Sequence, residues 1–166
     1  MREAMLTYFH AEKQEALLFL LAGAGALVAS GLLLRGDGPW RSMAWPLTAV
    51  AVIQVVVGLT VFLRTDAQVA GLAARLAGDP EAFRSEELAR MARVMWSFRL
   101  YEGIELLLFA GGVALTAFFP GRQSIYAIGV GLLIQASFML VLDLFAAQRG
   151  RVYVDAVARL AGSGGA

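Results

Sequence analysis

The chain has 166 residues, 59% of them hydrophobic, with a mean hydropathy of +0.68 and a net charge of +1. That much apolar sequence is more than a soluble domain of this size carries, so the chain reads as one integral membrane domain, 1–166. The near-neutral charge gives no case for nucleic acid. The lack of cysteine excludes disulfides and sulfur-ligated metal, and a single histidine, His10, excludes a multi-histidine site within one subunit.

Residues 1–15 carry both charge signs on a helical pattern and predict an amphipathic helix at the membrane surface, leading into a first span over about 15–34. His10 faces away from the apolar stripe, toward headgroups. Arg35-Gly-Asp-Gly-Pro39 breaks the chain. Trp40 and Trp45 then flank a second span, 43–63, as interfacial anchors. That span has Pro46 near its start and one amide, Gln54, near its middle.

After Arg64 the sequence turns polar. Asp66 predicts an N-cap for a short helix, Ala67–Ala77, ended by Gly78-Asp79-Pro80. A further helix starts at Pro80 and flows straight into the third span, with Phe83, Leu88, Met91, Met95 and Phe98 on one side and Arg84, Glu87, Arg90 and Arg93 mostly on others. Within it, Glu86 pairs with Arg90 at a spacing of four. Residues 66–99 thus form an amphipathic cytoplasmic segment.

The third span, 101–119, has only fourteen apolar residues, Leu106–Phe119, after Glu105. To cross roughly 30 Å of hydrocarbon it must thin the bilayer or draw Glu105, with Glu102 behind it, below the headgroups. Pro120-Gly121 turns the chain. A fourth span, 124–145, carries Gln135 at mid-depth and Asp143 at its end, which reads as an end-of-helix acid facing Arg149 ahead of a buried proton carrier. Residues 148–161 predict one more surface helix, and 162–166 a frayed end.

The chain also repeats itself. Met1–Phe19 and Met91–Phe109 share seven identities in nineteen positions, among them Glu12/Glu102 and Glu15/Glu105, against roughly two expected by chance. Ile53-Gln54 recurs as Ile134-Gln135, and Ala74–Gly78 as Ala158–Gly162. The expected fold is therefore an all-α membrane protein of two tandem helix hairpins, units 1–90 and 91–166, related by an axis along the membrane normal. Eleven basic residues on the side of the termini and middle loop, against Arg35, Arg41 and Arg122 on the other, place both termini in the cytoplasm of a bacterial-type inner membrane.

On a helix, Met1, Met5, Tyr8, Glu12, Glu15 and Phe19 share one face, which continues into Gly23, Ala26 and Ser30. The second copy places Glu102 and Glu105 likewise, below Gly112, Val113 and Thr116. Small residues mark the packed side of a membrane helix, so the glutamates point into the bundle. If spans one and three adjoin across the axis, Glu12, Glu15, Glu102 and Glu105 converge, joined by Asp143. Such acids raise one another's pKa values or recruit a hard cation such as Mg²⁺, Ca²⁺ or Mn²⁺. The competing reading pairs them with Arg64, Arg93, Arg99 or Arg149.

Gln54 and Gln135 form an interhelical hydrogen bond or line a polar cavity. Gly23, Gly25, Gly111, Gly112, Gly129 and Gly131 read as close-packing positions. No phosphate loop, catalytic triad or metalloprotease motif is present. The functional expectation is a non-enzymatic module binding or passing a small cation or proton, with no resident cofactor, working as a homo-oligomer because four spans leave little room for a conduit. The alternatives are a membrane regulator or toxin-immunity protein offering 66–99, with Phe83, Leu88 and Met91, to a protein partner, and, third, a lipid-modifying enzyme.

Overall fold

The computed structural model describes residues 1–160. The end of the expected tail helix, the stretch expected to fray and the close of the Ala158–Gly162 echo lie outside the described residues. Four helices make the fold: α1 (Arg2–Arg35), α2 (Ala44–Gly78), α3 (Pro80–Phe118) and α4 (Gln123–Ala158), with a 3-10 turn at Pro39–Met43. All four have a stretch long and apolar enough to cross a membrane; that of α3 is the least apolar, with a hydropathy of 1.4 against 2.2 or more in the others.

The helices are longer than a membrane is thick. At about 1.5 Å per residue they measure roughly 51–58 Å, some 20 Å or more beyond the hydrocarbon layer. The breaks expected near Asp66 and Gln148 are absent, and α3 runs straight from Pro80 into the third span, as the sequence predicts. α1 runs unbroken from Arg2, and α4 continues straight through Gln148. α2 passes Asp66 without interruption. Asp66 caps nothing: its carboxylate reaches Lys13 on α1 at 2.6 Å, while the neighbouring Thr65 hydroxyl donates back to the Val61 carbonyl.

The turns follow from local chemistry. Gly38 has φ +114°, a value that suits glycine, and Pro39 opens the 3-10 turn behind it. Between α2 and α3 the Asp79 carboxylate accepts from the backbone N–H groups of Glu81 and Ala82 at 3.1 and 2.9 Å, with Pro80 beside it where no N–H is needed.

α1 packs on α2 and α3 on α4, giving two antiparallel hairpins. Glycines set how closely the helices approach. A Cβ on Gly58 would sit 2.8 Å from the Ala16 carbonyl oxygen, and one on Gly23 would sit 3.0 Å from that of Ala51. In the second hairpin Gly112 and Gly129 face each other, each Cβ position 3.0 Å from the other's carbonyl oxygen. Gly25 and Gly111, read as packing positions, have open space instead.

The hairpins join through α4 against the 3-10 turn and α2, with α1 touching α4 and α2 touching α3. The backbones of α1 and α3 do not approach closely; their side chains meet at the end beyond the spans, where Arg90 lies over Phe9. This corrects the arrangement in which spans one and three adjoin. The cause is that the Gly23 and Gly112 faces are already used, each against its own hairpin partner. At the end holding Met1 and Ala158, all four helices contribute to a core of Met5, Tyr8, Phe9, Leu72, Phe83, Met91, Tyr153 and Val157. Along the spans the outward side chains are leucine, valine, isoleucine and phenylalanine, among them Leu21, Val28, Val56 and Leu107, as a hydrocarbon solvent requires.

Candidate functional site

The acidic residues singled out from the sequence fall into two unlike groups. On α1, Glu12 lies 3.8 Å from Arg64 of α2, and Glu15 is ion-paired with Arg149 of α4. Each has one buried carboxylate oxygen without a hydrogen-bond partner. On α3, Glu105 is 1% exposed and neither of its oxygens meets an N–H or O–H group of the chain. Its neighbour is the carboxyl of Asp143 on α4, within hydrogen-bonding reach and itself only 8% exposed.

Asp143 does not face Arg149, as its place at the end of the span suggested. Arg149 turns to Glu15 instead, and Asp143 turns to Glu105. Glu102, half-buried, adds its field to Glu105 and Asp143 from one turn below on α3. Asp143 also acts on Glu15, so it stands between the α1 and α3 acids. The result is a row, Glu12, Glu15, Asp143, Glu105, Glu102, rather than four converging glutamates. Among the described residues no three His, Asp or Glu side chains are placed to hold a metal ion together. Arg93 and Arg99, offered as partners, form no ion pair with Glu102 or Glu105; the arginines used are Arg64 and Arg149, both facing α1.

The two amides meet at the junction of the hairpins. Gln54, fully buried on α2, donates to the Gln135 carbonyl oxygen at 3.1 Å, and Gln135 donates to the Leu47 carbonyl at 3.4 Å. The Gln54 carbonyl oxygen has no partner. Of the two readings the structure has the interhelical bond, worth about 0.6–2 kcal/mol in a membrane.

A second polar centre, outside the apolar spans, was not singled out. Glu87, 1% exposed, accepts from Arg90 Nε and Nη2 at 2.7 Å each and from the Tyr153 hydroxyl at 2.8 Å. Tyr153 stacks on Tyr8 with ring centroids 4.6 Å apart, and the Arg90 guanidinium lies over Phe9. The Tyr153 pKa is raised by burial and then by the Glu87 charge and hydrogen bond, against Arg90. Burial works against the Arg90 cation, but the bonds and charge of Glu87 win, and its pKa is raised too.

The expected Glu86–Arg90 pair is replaced. Glu86 binds Arg75 of α2 at 2.6 Å, and Arg90 takes Glu87 at a spacing of three. The available signal was Phe83, Glu87 and Met91 at steps of four, which puts the acid on the apolar stripe. Phe83 and Met91, proposed as a face for a protein partner, are buried within the chain, and Leu88 packs against the same core.

No family model matches the chain, and neither a curated protein nor a solved structure matches it.

Proposed function

We propose that this protein is a non-enzymatic inner-membrane bundle that binds, and in an oligomer passes, a small cation or proton at the carboxylates of α1, α3 and α4. The observation carrying this reading is Glu105: a carboxylate at the mouth of the shortest apolar run, buried, without a donor and set against a second acid. An ionisable group buried in a membrane helix, away from a neutralising partner, is by default a candidate for an ion or proton path. Mg²⁺, Ca²⁺ and Mn²⁺ are the metals that all-oxygen ligands suit.

The architecture that supports the reading is an ancestral hairpin copied in tandem. Gln54 and Gln135, matched at a spacing of 81 residues in the sequence, bond directly to each other, as residues beside a pseudo-twofold axis do. The contacts of α1 with α4 and α2 with α3 are likewise reciprocal. The excess of basic residues puts the ends of the chain, and the helix extensions beyond the spans, on the cytoplasmic side.

The test is the thermal stability of the purified protein across pH and in Na⁺, K⁺, Mg²⁺, Ca²⁺ and Mn²⁺ chlorides. The wild type is expected to shift its melting temperature by several degrees with pH or with one cation, and Glu105→Gln to lose that response. A wild type that melts identically in all conditions overturns the proposal.

A further inference from the structure

The ligand at this site can be narrowed, on the reading just given, from the chemistry of the side chains that meet. A carboxylate only accepts hydrogen bonds, so two carboxyls in contact are bonded only when one of them carries a proton. Glu105 and Asp143 are such a pair. No lysine, arginine, amide or hydroxyl donates to Glu105, and Arg149, the nearest cation on α4, is committed to Glu15. The other charged groups facing the pair are Glu102 on α3 and Glu15 on α1; Arg64 of α2 is reached only through Glu12. All the uncommitted neighbours are therefore acids.

A metal fits this setting poorly. Two carboxyls supply at most four oxygens, short of the six to eight that Ca²⁺ takes, and Mg²⁺ would need several waters beside a Glu105 that is 1% exposed. We infer that the Glu105–Asp143 pair, joining α3 to α4, is a proton-binding site in which one proton is held between two buried carboxyls. The contrast with Glu15 sharpens the assignment. At the matching place in the first unit the acid, Glu15, is ion-paired through one oxygen with a tethered cation, Arg149 of α4. Glu105 has no arginine bonded to it, and a mobile proton takes that role.

The test is infrared difference spectroscopy of the reconstituted protein at neutral pH, in H₂O and D₂O. A protonated-carboxyl C=O band that shifts in D₂O is expected, lost in Glu105→Gln and in Asp143→Asn but kept in Glu15→Gln. Where a variant does not fold, wild-type protein with ¹³C-carboxyl Glu or Asp assigns the band without mutation. Absence of the band in the wild type, or its survival in both Glu105→Gln and Asp143→Asn, overturns the inference. The two ideas fail separately. A missing band with a melting response to Mg²⁺ or Ca²⁺ keeps the ion site but not the proton, whereas a band with no melting or pH response keeps the proton but not the functional role.

Discussion

Glu87 is a charged residue that the fold satisfies almost completely. Its two oxygens take three charge-assisted bonds, two from Arg90 and one from the Tyr153 hydroxyl. Losing one partner of such a group costs more than the pair contributes, because the remaining charge stays buried. Tyr153→Phe removes one bond and leaves Arg90 in place, so the expected loss is about 1.5–3 kcal/mol at neutral pH. The pH dependence follows from the raised Tyr153 pKa. Below the ordinary phenol value of 10.0 the hydroxyl is protonated in both folded and unfolded chains, and its stabilisation is fully present. Above it the unfolded chain loses the proton first while the folded one retains it, so stability falls as pH rises. Unfolding curves in detergent at neutral pH and above pH 10 check this. The wild type should lose its margin over Tyr153→Phe in the alkaline range, and a constant margin would count against the assigned bond.

At the scale of elements, the helices were legible and their subdivisions were not. The four apolar runs and the breakers at Gly36–Pro39, Gly78–Pro80 and Pro120–Gly121 are strong local signals, and the helices end there. The joints expected at Asp66 and near Gln148 rested on a change from apolar to polar composition. That change marks where lipid gives way to water, and a helix has no reason to stop at it. Acid partners were illegible for a related reason: they depend on which helix faces which, and helical periodicity is silent on neighbours. The glycines divide the same way. Gly25 and Gly111 lie in the same small-residue stretches as Gly23 and Gly112, yet only the latter meet another helix. Gly58→Leu should force α1 from α2, and Gly112→Leu should force α3 from α4. Each is expected to destabilise by several kcal/mol, as overpacked contacts do at their upper range. Gly25→Ala and Gly111→Ala should melt as the wild type does or slightly higher. Equal melting of all four variants would remove the close-contact account.

For the whole molecule, the packing argues that each hairpin is a folding unit. The close glycine contacts at Gly23, Gly58, Gly112 and Gly129 lie within hairpins, and the joint between them is lighter. It comprises the Gln54–Gln135 bond, Gly131 seated on Met43 and Pro46, the Glu15–Arg149 ion pair and the core at the ends of the chain. Proposed duplication requires the same hierarchy, since an ancestral hairpin had to insert before it had a covalent twin. Dividing the chain before Asp79, which leaves the α3 cap with its helix, therefore gives two fragments, 1–78 and 79–166, expected to insert separately and to copurify when only one is tagged. Gln135→Leu in the second fragment strands the buried Gln54 amide and removes the hydrogen bond to Leu47. At about 0.6–2 kcal/mol for a membrane hydrogen bond, recovery of the first fragment should fall roughly three- to thirty-fold. The doubly apolar pair Gln54→Leu with Gln135→Leu should recover much of it, because no polar group is then left without a partner. Fragments that never associate, or that associate equally well with Gln135→Leu, would show that the hairpins are not the units in which this bundle assembles.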